Sequence, residues 1–149
     1  MSQRGGSVVT YVKYDKKVYS PLIFEGEADC LLAFEELEAY RWIPYLKKDG
    51  KLIVNTQQMN PMPVITGAMK YPEGIMDKIK SKLDNVVALD ALKGAMDAGN
   101  VKAVNIVLIG CLAKNSEVDK QVWIDVIKET VPPKFLEVNL KAFEIGYNS

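Results

Sequence analysis

The sequence predicts an α/β fold of three layers: a mainly parallel sheet with helices on both faces and an antiparallel hairpin at the N-terminus. Three observations predict it. Short continuous apolar runs at residues 30–34 and 86–89 have the composition of strands covered on both faces, and residues 51–56 read as a second central strand between them. Each run is followed by apolar residues at helical spacing, so strand and helix alternate as in βαβ units. At the start of the chain, Val8, Thr10 and Val12 share one face and Val9 and Tyr11 the other, and a polar break at Tyr14, Asp15 and Lys16 separates them from a second extended run over residues 17–23.

The hairpin and the first central strand are followed by Leu37, Tyr40, Ile43 and Leu46 at helical spacing, with Glu36 and Glu38 off that stripe. Pro44 predicts a kink or two short helices, since proline fits only the first turn of a helix. Residues 47–50 then supply basic side chains and a glycine for a helix C-terminus. The second strand, 51–56, leads into 57–63, a linker holding Met59, Met62, Pro61 and Pro63, whose methionines fill gaps or line an adaptable contact surface. Residues 64–67 read as a short strand or an extended connection.

An amphipathic helix over 73–83 carries Ile75, Met76, Ile79 and Leu83 on one stripe, and Pro72 fits its start. After the strand at 86–89, Asp90 caps a helix bearing Leu92, Ala95 and Met96 that Gly99 and Asn100 close. Residues 101–113 are apolar on nearly every side and predict a buried helix, in which Gly110 signals close backbone approach. A further helix begins at Asn115 or Ser116, turns Val118, Val122, Trp123, Val126 and Ile127 inward, and stops at Pro132 and Pro133. Residues 135–147 form a closing helix or an arm that lies on a neighbour.

Composition sets the limits of function. The chain has 149 residues, 48% of them hydrophobic, enough for one domain spanning 1–149 with a substantial core. Nineteen basic and nineteen acidic residues leave no net charge, which removes the electrostatic case for nucleic acid. No run reaches the roughly 18 apolar residues of a membrane span, and the start lacks the apolar core of a signal peptide, so the expected location is the cytoplasm. With no histidine there is no Ser-His-Asp or Cys-His pair and no Cys/His zinc site. Cys30 and Cys111 sit in apolar runs as small buried hydrophobes, and two thiolates cannot hold an iron–sulfur cluster. Gly5 and Gly6 precede a strand instead of linking strand to helix, so no dinucleotide-binding loop is present.

Some residues carry chemistry by position. Arg4 is one of only two arginines, and its planar fork suits carboxylate or phosphate beside the permissive backbone of Gly5 and Gly6; the alternative is a frayed terminus. Glu35 ends the first central strand, and Asn55 and Thr56 end the second, the edge where ligands gather in open α/β sheets. The plainer readings are a charge in a helix's first turn for Glu35 and turn formation for Asn55 and Thr56. Asn105 lies in the most apolar helix, where it bonds a backbone group and fixes packing, or orients the N-terminal turn.

Collinear segments carry a family resemblance: residues 2–9 (Ser2, Gln3, Arg4, Gly5, Gly6 and onward), 18–23, 28–35, 37–39, 52–55, 63–64, 103–105, 108–110 and 137–146. Together they resemble the gamma subunit, or gamma domain, of the 2-oxoacid:ferredoxin oxidoreductases, and within it the beta subunit of indolepyruvate oxidoreductases. Relative to that pattern the chain lacks a leading strand, glycine-rich turn and helix, as a truncated member or the product of a downstream start.

The resemblance implies an auxiliary subunit, not catalytic alone, of an anaerobic enzyme that oxidatively decarboxylates a 2-oxoacid such as indolepyruvate to an acyl-CoA and passes electrons to ferredoxin. It implies that thiamine diphosphate, magnesium and 4Fe-4S clusters sit on a partner subunit. This chain would complete or cover the active site, around coenzyme A. Ser2, Gln3, Arg4, Gly5, Gly6, Glu35, Asn55 and Asn105 are the candidates for cofactor binding or the subunit junction. A lost leading unit would leave an apolar surface for a homodimer to cover. A reading of another class is a stand-alone small-molecule-binding or scaffold module.

Overall fold

The computed structural model describes residues 7–149. A three-stranded parallel sheet holds strands β1 (Ala28–Ala33), β2 (Leu46–Asn55) and β3 (Val86–Leu89) in the order β1-β2-β3. The fold is mixed α/β, as the alternation of apolar runs predicts. By packing, the chain divides into two compact units: one reaches to Leu52 and adds Gln58–Val86, and the other comprises Ile53–Gln57 and Val87–Ser149.

In the first unit β1 leads into α1 (Glu36–Trp42) and a 3-10 turn at Ile43–Tyr45. Pro44 stands in the first turn of that 3-10 segment, the place its missing N–H is tolerated, so the predicted interruption is present. The helix buries Glu36 and Ala39 and not the expected stripe of Leu37, Tyr40 and Ile43, which is half-buried. Residues 47–50 do not cap a helix; they belong to β2, where Leu46 folds against Gly50 so closely that an added Cβ would lie 2.7 Å from Leu46 Cγ. Short helices α2 (Met62–Ile65) and α3 (Ile75–Lys80) follow, so residues 64–67 are not extended. Ile75 and Ile79 turn inward with Ala28, Ala33, Ala39, Leu46 and Leu52.

Two expectations fail in this unit. Residues 7–27 form no strand, so the antiparallel hairpin is absent, and Val8, Val12, Tyr14 and Tyr19 are each more than two-thirds exposed. Alternation permits pairing without dictating it, and these residues form no strand although β1 stands at an edge of the sheet. Cys30, expected to be buried, is exposed on β1, whose burial is confined to its ends at Ala28 and Ala33. An apolar run permits burial; cover from neighbouring elements decides it.

The second unit is a packing of helices: α4 (Ala91–Ala98), α5 (Val104–Lys114), α6 (Lys120–Thr130) and α7 (Leu136–Tyr147). Asp90 caps α4 as expected, accepting the Lys93 N–H at 2.9 Å, and Gly99 closes it with φ 105°. Its buried face is Ala91, Gly94, Ala95 and Ala98, while Met96 is exposed. Small residues let α5 and α7 come into backbone contact. A Cβ on Gly110 would sit 2.2 Å from the Phe143 carbonyl oxygen, and one on Gly146 1.8 Å from that of Val107. Val107, Leu108, Cys111 and Phe143 fill the resulting core.

Asn105 departs from its predicted setting. It is exposed, because the helical turn sets it opposite Val107 and Cys111. The next helix starts later than expected, capped by Asp119 at Gln121 N–H, and only Ile127 of its apolar residues is buried; Val122 and Val126 face out. It ends at Thr130 before Pro132 and Pro133, and residues after Phe135 form the closing helix.

Candidate functional site

The polar centre of the first unit is a pair of adjacent carboxylates at the strand-to-helix junction. Glu35 leaves β1 in an extended conformation and caps α1, its Oε2 accepting the Glu38 N–H at 2.9 Å. It is 4% exposed, and its Oε1 accepts the hydroxyl of Tyr71. Glu36, 7% exposed, accepts a hydrogen bond from Gln58 Nε2 at 3.3 Å. Each buried carboxylate thus receives a neutral donor from the same stretch of chain.

Tyr71 answers to this setting. Its burial pushes the phenol well above the ordinary value of 10.0, and the hydrogen bond to Glu35 and the charges of Glu35 and Glu36 push the same way. The proton therefore stays on Tyr71 and is committed to Glu35. The arrangement is a clamp: Glu36 holds Gln58 and Glu35 holds Tyr71, the two feet of the intervening loop.

On the same helix Glu38 meets the beginning of the chain. Ser7 Oγ donates to Glu38 Oε2 at 2.7 Å, and Arg41 donates to Oε1 at 2.6 Å. Burial acts to raise this carboxyl, and the two donors with the Arg41 charge outweigh it, so its pKa is lowered. Farther along, Tyr11 stacks on Tyr45 with ring centres 6.5 Å apart, and Lys13 pairs with Glu27 at 3.6 Å. The N-terminal segment lies against side chains of its own unit without a backbone ladder.

In the second unit Asn55 is 1% exposed at the end of β2. Its Oδ1 accepts the Ala91 N–H at 3.1 Å, one of the first donors of α4, and its Nδ2 donates to Gln57 at 3.3 Å. Thr56 continues the attachment through its N–H to the Leu89 carbonyl at 3.0 Å. Asn55 is thus a tie between strand end and helix start, a more specific role than turn formation.

The structure therefore buries Glu35 and Asn55 and leaves Asn105 at the surface of α5. Ser2, Gln3, Arg4, Gly5 and Gly6 lie outside the described residues. Three contributors had escaped the sequence reading: Glu36, Tyr71 and Gln58. The signal available for Glu36 was its place beside Glu35 immediately after a strand; nothing in the sequence points Tyr71 or Gln58 at them.

Among the described residues no cluster of three or more Cys, Asp or Glu could hold a metal ion, and a 4Fe-4S cluster needs twice the two cysteines present.

Comparisons with known proteins agree over most of the chain. A family model described as pyruvate ferredoxin/flavodoxin oxidoreductase matches residues 1–149. Indolepyruvate oxidoreductase subunit IorB of Thermococcus kodakarensis is 40% identical over 98% of this chain and 75% of its own length, and the protein of the same name from Pyrococcus horikoshii has the same identity and coverage. The crystal structure of a keto/oxoacid ferredoxin oxidoreductase gamma subunit from Geobacter sulfurreducens superposes with a TM-score of 0.61 at 26% identity, covering 83% of this chain and 64% of that one. The present chain thus spans under two-thirds of that solved subunit. On the strength of a match from first residue to last, the chain belongs to the pyruvate ferredoxin/flavodoxin oxidoreductase family.

Proposed function

We propose that this chain is the small auxiliary subunit of a 2-oxoacid:ferredoxin oxidoreductase acting on an aryl pyruvate such as indolepyruvate. The observation that carries the reading is 40% identity to IorB subunits across 98% of the chain. The reaction is oxidative decarboxylation to an acyl-CoA in an anaerobic cytoplasm. Thiamine diphosphate, magnesium and the iron–sulfur clusters belong to a larger partner that reduces ferredoxin, and this chain completes or covers that partner's active site. With no histidine and no metal cluster among its described residues, the chain supplies surface and hydrogen bonds to the reaction.

Within that reading, the segment of residues 2–6 belongs to the subunit junction, where Arg4 meets a phosphate or carboxylate. The exposed Val8, Val12, Tyr14 and Tyr19 favour a second copy of the chain in the assembly, which light scattering at micromolar concentration would count.

The test is co-expression with the large oxidoreductase subunit of the same organism, followed by indolepyruvate- and CoA-dependent reduction of ferredoxin. Activity that requires both chains supports the reading. A large subunit fully active alone, or a chain that purifies only by itself, points to the stand-alone binding module instead. Arg4→Ala should lower activity of the reconstituted complex and leave the melting temperature of this subunit unchanged.

A further inference from the structure

A cleft of about 120 Å³ opens within the second unit, lined by Asn100, Lys102, Ala103, Phe135 and Asn139. Local rules build both of its walls. Gly99 ends α4, and the next residue, Asn100, turns its side chain onto the following stretch, its Oδ1 accepting the Lys102 N–H at 2.9 Å. On the other wall α7 begins after the paired prolines, and Asn139 bonds back one turn, its Nδ2 donating to the Phe135 carbonyl at 2.8 Å. Between them the small side chain of buried Ala103 leaves the space open.

These backbone bonds leave each amide with one end of known polarity. Asn100 has engaged its oxygen and keeps Nδ2 as a donor, whereas Asn139 has engaged its nitrogen and keeps Oδ1 as an acceptor. Lys102 is exposed, and no carboxylate lines the cleft. The Phe135 ring is 42% exposed, and Lys134 lies over it with Nζ 4.8 Å from the ring centre, so a second ammonium stands beside this wall. Glu137 falls on the other side of α7, since helical residues four apart share a face and residues two apart do not. The cleft therefore combines a cation, a donor, an acceptor and an aromatic ring.

We propose that this cleft is a binding site for a small aromatic carboxylate that also carries a hydroxyl or N–H donor. The carboxylate meets Lys102 and Asn100 Nδ2 on one wall, the donor meets Asn139 Oδ1 on the other, and the ring lies against Phe135 and Ala103. Size sets the class: a closed cavity of about 150 Å³ takes a benzene ring, so this open cleft takes one ring with its substituents reaching toward solvent. A phosphate dianion fits less well, because only one lining side chain is cationic and Asn139 leaves an acceptor in the lining. Every group invoked belongs to this chain, so the site stands whether or not the subunit reading above holds.

Nitrogen-15 NMR of the full chain titrated with 4-hydroxybenzoate tests it. Backbone amides of residues 100–103 and 135–139 and the side-chain amides of Asn100 and Asn139 should shift in a saturable way, while residues 120–130 stay unmoved. In the same titration 4-methylphenol, which lacks the carboxylate, should bind at least about tenfold more weakly, and inorganic phosphate should shift neither wall. Lys102→Met should weaken binding of 4-hydroxybenzoate by about tenfold and Asn139→Leu by at least about threefold, each with a melting temperature near wild-type. Equal binding of 4-methylphenol makes the cleft an apolar crevice, and tighter binding of phosphate makes it an anion site of another class; either overturns the proposal. So does the lack of saturable shifts in wild-type at about 10 mM probe, where a millimolar site is nearly filled. If a variant melts far below wild-type, the three wild-type titrations decide.

Discussion

The two units reach a defined shape by opposite means. In the second unit, geometry comes from the absence of side chains: Gly110 and Gly146 let α5 and α7 meet backbone to backbone, and alanines on α4 close the third side. In the first, geometry comes from polar side chains: Glu35 and Glu36, both buried, hold a loop through Tyr71 and Gln58. Close packing tolerates no added atom, whereas a hydrogen-bonded clamp tolerates changes of volume but no loss of a donor or acceptor. Substitutions should therefore distinguish the units by kind as well as by size.

The largest effect is expected at Gly146. Its β-carbon would fall 1.8 Å from the Val107 carbonyl oxygen, and backbone on both sides cannot withdraw. Gly146→Val should cost about 3 kcal/mol or more and abolish cooperative melting of the chain, as read by calorimetry. A variant that melts like wild-type would show that α5 and α7 can separate without loss, and the contrast between the units would collapse.

Next comes the clamp. Glu35→Ala removes the acceptor of the Tyr71 hydroxyl and of the Glu38 N–H together, and should destabilise the chain by about 1–3 kcal/mol in urea titration. Glu35→Gln keeps an acceptor and should recover part of that loss. Hydrogen exchange sharpens the point: the alanine variant should speed exchange of the amides of residues 64–69 and leave those of α5 and α7 unaffected. Uniform acceleration would mean that the loop is not separately held.

A smaller effect is expected at Asp90, whose side chain caps α4 at the Lys93 N–H. Asp90→Ala should cost about 1 kcal/mol by thermal melting.

The smallest effect is a dependence on alkaline pH. Tyr71 has a folded-state pKa above its ordinary 10.0, so its contribution to stability is fully present below that pH and is lost as pH rises toward the folded value. Tyr71→Phe should therefore flatten the alkaline fall of stability above about pH 10. Equal slopes for the two proteins would place the phenol in solvent and undo the clamp. At the acid end the sign reverses for Glu38. Its lowered pKa gives stability present above the ordinary carboxylate range and lost as pH falls through the folded value, and Ser7→Ala should shrink that loss.

The sequence by itself determined the parts that depend on local chemistry and on collinear pattern. Val86–Leu89 as a strand, Asp90 as a cap, Gly99 at a helix end and Gly110 at a close approach all follow from rules that act within a few residues. Family membership came from segments spread along the chain and matches it from end to end. Tertiary structure decided which permitted features were realised. Residues 8–12 alternate and form no strand, although β1 stands at an edge of the sheet, because alternation permits pairing without dictating it. Cys30 is apolar in context and exposed, and Asn105 is polar within an apolar helix and also exposed, because cover and helical phase, not composition, set burial. The pairing of Glu35 with Tyr71 spans 36 residues, and no local rule links a strand-end carboxylate to a tyrosine before a proline. Only the folded path of the chain brings that donor to that acceptor, because burying a carboxylate demands a partner and leaves its identity to the tertiary arrangement.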